Sequence, residues 1–323
     1  MFRNQSRFFL ILPILLLMAS CHSSNKSRTV ASVISFASVE KGQQALIQED
    51  DVTKSWSQFD LDSRVQKKDA TKAELFSLIQ SSVLAFTKEE EALVKGVVEE
   101  VDAIIAQEKY YLPLPEEILI VKTNMKEEGG AMGYTRANNI ILSEEAFKGD
   151  TAMLKYLIIH ELFHVLSRND ADFKKAMYAI IGFTTTSEIA FPASWAALRI
   201  TNPDAPLVDA YIQLNTPDSL QDCAMILYSD RPYEGGSFFD YLNFVFVKLN
   251  GKEKKSIALV DGQPVIYTFD QVSNFIEQVG ANTQYIIHPE EILADNFTEL
   301  LIGGHELPDP WLVEEMKAYL VEE

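Results

Sequence analysis

Two histidines four residues apart, with a glutamate directly after the first, are the residues of this 323-residue chain best suited to chemistry. They lie in Leu157-Ile158-Ile159-His160-Glu161-Leu162-Phe163-His164-Val165-Leu166, inside a long apolar run. Positions four apart on a helix stack on one face, so His160 and His164 point the same way and can share one zinc ion. Glu161, just beside that face, can reach a water on the metal. A helix that is apolar nearly all round is buried, and a buried pair of imidazoles needs partners, which a metal supplies. The bland alternative is a pair of helix histidines satisfied by backbone or carboxylate groups.

Zinc held by two histidines needs a third protein ligand and an open position for water. Ile287-His288-Pro289-Glu290-Glu291-Ile292-Leu293-Ala294-Asp295-Asn296-Phe297 offers one. Pro289 suits the first helical position and Gly303-Gly304 a stop, which predicts a helix of about four turns. Glu291 and Asp295 are four apart and share a face, whereas Glu290 has Ala294 in the equivalent place. A metal-bound histidine usually gives its other N–H to a carboxylate or carbonyl. Glu291 is therefore the expected ligand, and Asp295 the group expected to orient His160.

The elements that must position these residues have local signatures. Lys72 to Phe86 carries an apolar stripe, and Thr87-Lys88-Glu89-Glu90 reads as a capping box ahead of a helix through Val94, Val98, Val101 and Ile105. Pro113 and Pro115 end this helical part. Ile118 to Val121 reads as a buried strand, Glu127 to Gly133 as turn-rich, and Asn139 to Ser143 as a strand directly ahead of the metal helix, at the cleft edge or inside the sheet. Asp150 or Thr151 could cap the metal helix, and Ala171 to Phe183 reads as a further helix. From about 208 to 267 the pattern turns to strands, with hairpin signals at Asn250-Gly251 and Asp261-Gly262. An antiparallel β insert therefore separates the two halves of the site, and its aromatics (Phe238, Phe239, Tyr241, Phe244, Phe246) are expected in its core.

At the N-terminus, Met1 to Arg7 is basic and Phe8 to Met18 is apolar apart from Pro13, the pattern of an export signal rather than a membrane span. Leu17-Met18-Ala19-Ser20-Cys21 resembles the lipobox of bacterial lipoproteins. That resemblance implies removal of residues 1–20 and lipidation of Cys21, giving an anchor in the cell envelope. His22 after the cysteine favours the outer membrane in a Gram-negative organism. Cys223, the other of the two cysteines, then has no partner and is expected to be a small buried apolar residue. Removing residues 1–20 takes away two arginines and no acid, so the formal net charge goes from −19 to −21. Such an acidic chain is a poor partner for nucleic acid. Residues 21–70 are expected to be tether and lead-in, and 71–323 one catalytic domain; oligomeric state is not legible.

His160-Glu161-Leu162-Phe163-His164 followed by Glu291-Ile292-Leu293-Ala294-Asp295 resembles the HExxH…ExxxD signature of gluzincin metallopeptidases. No third histidine follows His164 at the metzincin spacing. Residues from about 110 to 300 also resemble a group of bacterial zincin-like lipoproteins, on Ile200-Thr201-Asn202-Pro203-Asp204-Ala205-Pro206, Arg231-Pro232-Tyr233-Glu234-Gly235-Gly236-Ser237 and Ile287 to Phe297. The resemblance implies an α+β fold: a helix-rich zincin-like core, a small sheet over the metal helix, and the β insert between HExxH and the glutamate helix. It implies zinc-dependent hydrolysis of a peptide or protein substrate, with Glu161 as general base. It also implies an oxyanion-stabilising Tyr or His, for which His288 is the first choice and Tyr228, Arg231 and Tyr233 are alternatives. Two other functions fit the sequence: a lipid-anchored binding or scaffold protein with a non-catalytic zinc, and a zinc amidase acting on cell-wall peptides.

Overall fold

The computed structural model describes residues 28–321, so the apolar leader and Cys21 lie outside the described residues. The fold is α+β. The lead-in forms α1 (Val30–Val33), β1 (Ile34–Phe36), α2 (Val39–Leu46), α3 (Asp51–Ser55) and α4 (Gln58–Val65). Then come α5 (Lys72–Ser82), β2 (Val83–Leu84) and α6 (Lys88–Glu108), the last begun by the expected capping box of Thr87 and Glu90.

A five-stranded sheet follows from β3 (Ile118–Thr123), β4 (Gly133–Arg136) and β5 (Asn139–Ser143). The strand order is β1-β3-β5-β4, with β2 also pairing β3. β3 runs parallel to β1 and β5 and is buried along its whole length, which is why its sequence is apolar without alternation. Ile118, Ile120, Ile140 and Leu142 join the core beneath the metal helix, while Leu119, Val121 and Ile141 pack with Leu46, Leu75 and Ile79 on the opposite face. The lead-in thus supplies a strand and, through Ala37 and Leu46, part of one core. β5 is an inner strand; the edge is β4, within and just after the stretch that reads as turn-rich.

The metal helix α7 (Thr151–Asn169) is capped by Asp150, whose side chain accepts from Ala152 N. It is buried continuously from Leu157 to Ser167, with Phe163 wedged between Phe173 and Phe297. α8 (Ala171–Ile180) follows. The expected insert is an antiparallel sheet in the order β10-β9-β8-β7-β6, where β6 is Phe183–Thr185, β7 Ala210–Asn215, β8 Leu220–Tyr228, β9 Asn243–Asn250 and β10 Ser256–Ile257. Phe246 and Tyr241 are buried as expected, but Phe238 is half-buried and Phe239 exposed. Residues 238–241 form a 3₁₀ turn rather than the start of a strand. Cys223 is buried on β8, and burial pushes its thiol up to about 12, so it stays protonated. The chain returns through α9 (Phe275–Val279) to α10 (Pro289–Ile302), which packs along α7, and ends on α11 (Pro310–Leu320). No described helix is long and apolar enough to cross a membrane.

Candidate metal centre

α7 and α10 bring His160, His164 and Glu291 together, with one donor atom from each lying within 4.8 Å of the others. Glu291 Oε2 is 3.1 Å from His160 Nε2 and 3.6 Å from His164 Nε2. Both imidazoles therefore turn the same nitrogen to one carboxylate oxygen. The other oxygen, Glu291 Oε1, accepts a hydrogen bond from Asn202 Nδ2 at 2.6 Å. His164 Nε2 is buried and has no hydrogen-bond partner. An unpartnered buried nitrogen is costly, and two imidazoles plus a carboxylate are a donor set that a divalent cation fits. This group could hold a metal ion.

Each histidine shows its Nδ1 to a carboxylate. Asp295 Oδ1 is 3.0 Å from His160 Nδ1, close enough to pair though off the line of a good hydrogen bond. Glu290 Oε1 is 3.3 Å from His164 Nδ1. Glu290, passed over by the sequence argument because Ala294 lies one turn on, thus does for His164 what Asp295 does for His160. Both carboxylates are themselves held. Asp295 accepts from Tyr156 and Thr283, and Glu290 from Tyr178 Oη at 2.6 Å and Ser167 Oγ at 3.1 Å. Burial disfavours a charged His160, but its pairing with Asp295 and Glu291 prevails and raises its pKa to about 9.

Glu161 is buried, and Thr135 Oγ1 donates to its Oε2 at 2.7 Å. Its other oxygen lies against Gly133, where an added Cβ would sit 2.9 Å from Oε1. A side chain at that place would push the Glu161 carboxylate aside, so the glycine lets the edge strand approach the glutamate as it stands. Burial pushes the Glu161 carboxyl upward, against the pull of both imidazoles.

Residues 121–172 match the family model described as the eCIS core domain. This eCIS core span begins in β3, crosses β4 and β5, and takes in His160, Glu161 and His164, but ends well before Glu291. The family name is associated with a zincin-like metallopeptidase fold. No curated protein and no solved structure matches the chain.

His288 stands at the N-cap of α10, where its Nδ1 accepts from Glu290 N at 3.1 Å, so that nitrogen is committed to the helix. The alternatives from the insert are engaged too. Tyr228 stacks on Trp195, Arg231 pairs with Asp230, and Tyr233 donates to Gly236 O. A tyrosine outside that set, Tyr285, is 47% exposed as a residue, yet burial and the carboxylates of Glu291, Asp204, Glu161 and Asp295 push its hydroxyl well above the ordinary range. It lines a cavity of about 90 Å³ together with Gly133, Asn202, Asp204, Leu227 and Phe238. The larger hollow of about 920 Å³, between α2 and the start of β5, is away from the histidines.

Sequence reasoning did not find Asn202, Asp204, Thr135, Glu290 or Tyr285 as site residues. Asn202 and Asp204 sit in a segment that the sequence marked only by its prolines and its resemblance. Thr135 follows a glycine-rich turn, and Tyr285 has no spacing relation to the motif.

Proposed function

We propose that the chain is a zinc-dependent peptidase of the gluzincin type, held at a membrane by lipid on Cys21. The observation that carries this reading is the convergence of His160 Nε2 and His164 Nε2 on Glu291, with the Glu161 carboxylate beside them on the same helix. Zinc, when bound, supplies a Lewis acid that polarises a carbonyl and lowers the pKa of its water towards neutrality. Asn202 occupies one oxygen of Glu291 and leaves the other for the metal. Thr135 occupies Oε2 of Glu161, which leaves Oε1 to take a proton from the attacking water and pass it to the leaving amine. A carboxyl pushed upward by burial is better matched to that exchange than an ordinary glutamate. The Tyr285 hydroxyl stays protonated at neutral pH and supports a role as donor to the oxygen on which charge develops. β4 offers main-chain partners to an extended peptide by strand addition.

The experiment is zinc content together with hydrolysis of unfolded casein, comparing wild type with Glu161→Gln. Retained zinc in both proteins and loss of hydrolysis in the variant are expected. If the protein held no zinc, or if Glu161→Gln left hydrolysis intact, the reading would fail. Anchoring is tested separately by detergent-phase partition, which Cys21→Ser should abolish.

A further inference from the structure

The segment from Arg199 to Pro206 lies against both the edge strand β4 and the metal group. Its Asp204 Oδ1 accepts a hydrogen bond from Thr135 N at 2.6 Å, on the outer side of the edge strand. That backbone N–H is one that an added peptide strand would use, and the carboxylate stands where the peptide's carbonyl would accept. Asp204 also belongs to a second donor group, with Glu161 and His164, whose atoms lie within 4.8 Å of one another. This group shares His164 alone with the first, and His164 Nε2 is a buried nitrogen without a hydrogen-bond partner. Two residues earlier, Asn202 reaches Glu291, so the segment touches the site at both halves.

The segment is strapped down rather than loosely draped. Asp60 accepts from Thr201 N at 3.0 Å and from Thr201 Oγ1 at 2.7 Å, and Arg64 Nη2 donates to Thr201 O at 2.9 Å. Beyond it, Arg168 Nη2 donates to Pro203 O at 3.1 Å and to Asp204 O at 2.8 Å. Beside the site lie a cavity of about 90 Å³ on the Tyr285 side and one of about 210 Å³ lined by Glu290, Ser167 and Asp204. Clefts that take ligands are commonly about 300–1,000 Å³.

We propose that Asp204 is a fourth protein donor to the metal and the intramolecular occupant of the cleft, so that the chain as folded is latent and works fully only when the 199–206 segment is displaced. The proposal rests on the peptidase reading for its regulatory meaning, but not for the metal bond itself. A fourth donor fills the position that a hydrolytic site keeps for water. Two requirements follow. Removing the donor weakens metal retention, and it opens the cleft to other ligands.

The test is Asp204→Asn in the full chain, which keeps an acceptor for Thr135 N but removes the charged donor. Zinc affinity is read by chelator competition, coordination by the visible spectrum of the cobalt(II)-loaded protein, and access by the affinity of a peptide hydroxamate. The expected result is zinc bound about tenfold or more weakly, an altered cobalt spectrum, tighter hydroxamate binding and faster casein hydrolysis. A zinc affinity and cobalt spectrum equal to wild type would overturn the proposal. Should Asp204→Asn fail to fold, Arg168→Ala, which frees the backbone of Pro203 and Asp204, must likewise tighten hydroxamate binding; unchanged binding there overturns the proposal. Weakened zinc and a changed spectrum without hydrolysis by either form would keep Asp204 as a donor and sink the peptidase reading. Hydrolysis by wild type alongside an unchanged spectrum and affinity in the variant would do the reverse.

Discussion

Glu290 and Glu291, adjacent in the chain, flank a single imidazole: Glu290 Oε1 is 3.3 Å from His164 Nδ1, and Glu291 Oε2 is 3.6 Å from His164 Nε2. Successive helix residues point about 100° apart, so one helix crossing the ring can present a carboxylate to each nitrogen. One of these contacts orients the imidazole, and the other belongs to the metal group. Glu290→Gln should therefore lower zinc affinity by about 10–100-fold, and Asp295→Asn should do the same through His160. Chelator competition on folded variants measures both, and an affinity equal to wild type in each would detach these carboxylates from the metal.

Gly133 admits the Glu161 carboxylate to the edge strand. Gly133→Ala places a methyl 2.9 Å from Oε1 and forces that oxygen to move. Displacement of a reacting group by about 1 Å can cost about 100-fold in rate. That oxygen ends a flexible side chain and need yield only part of that distance. Hydrolysis should therefore fall by about tenfold while bound zinc stays the same, because Glu161 is not among the three residues of the main metal group. Parallel loss of zinc and rate would instead mean that the helix itself had shifted.

Tyr285→Phe removes a hydroxyl from among four carboxylates and leaves the ring. If that hydroxyl stabilises the developing oxyanion, kcat should fall about 100- to 1,000-fold with little change in KM and no loss of zinc. His288→Asn, which retains a side-chain acceptor for capping α10, should change kcat far less. Steady-state kinetics on the two variants would decide between these residues, and a larger fall for His288→Asn would reverse the assignment.

Away from the site, Glu90 joins α6 to β3. Its carboxylate accepts from Thr87 N at 2.7 Å and from Lys122 Nζ at 2.6 Å. Burial disfavours the charge, yet the contacts with Lys122 and Thr87 prevail and hold the folded-state pKa below the ordinary value. The stabilisation is therefore present above the unfolded pKa of about 4.3 and is lost as pH falls through the lower folded value. Glu90→Gln should destabilise the protein by about 1–2 kcal/mol at pH 7. The difference from wild type should shrink on acidification below about pH 4. Urea unfolding at several pH values measures it; a difference that does not vary with pH would remove Lys122 and the cap from the account.

The parts legible in the sequence are those written in local signals. α7 and α10 carry their own caps, β5 its apolar run, and Thr87 with Glu90 a capping box, so these elements lie where pattern and propensity place them. The spacing of Glu291 and Asp295 correctly predicts that both face the histidine helix. The same i+4 rule passed over Glu290, because it weighs partners within a helix and not the ring of a crossing one. β4 was hidden by the glycines before it, and β1 by its shortness within a helical lead-in. Asn202 and Asp204 meet Glu291 and Thr135 across 89 and 69 residues, contacts with no periodic trace.

The clamp of Asp60 and Arg64 on Thr201 bears on how the molecule comes into being. Asp60 and Thr201 are 141 positions apart, and His160 and Glu291 are 131 apart. A chain made from its N-terminus therefore carries both histidines long before their carboxylate exists. Closing such distant contacts is slow relative to local helix formation. Asp60, Arg64 and Thr201 all precede Glu291 in the chain, so during synthesis the partners that fasten the segment bearing Asp204 are all present before the metal group has its carboxylate.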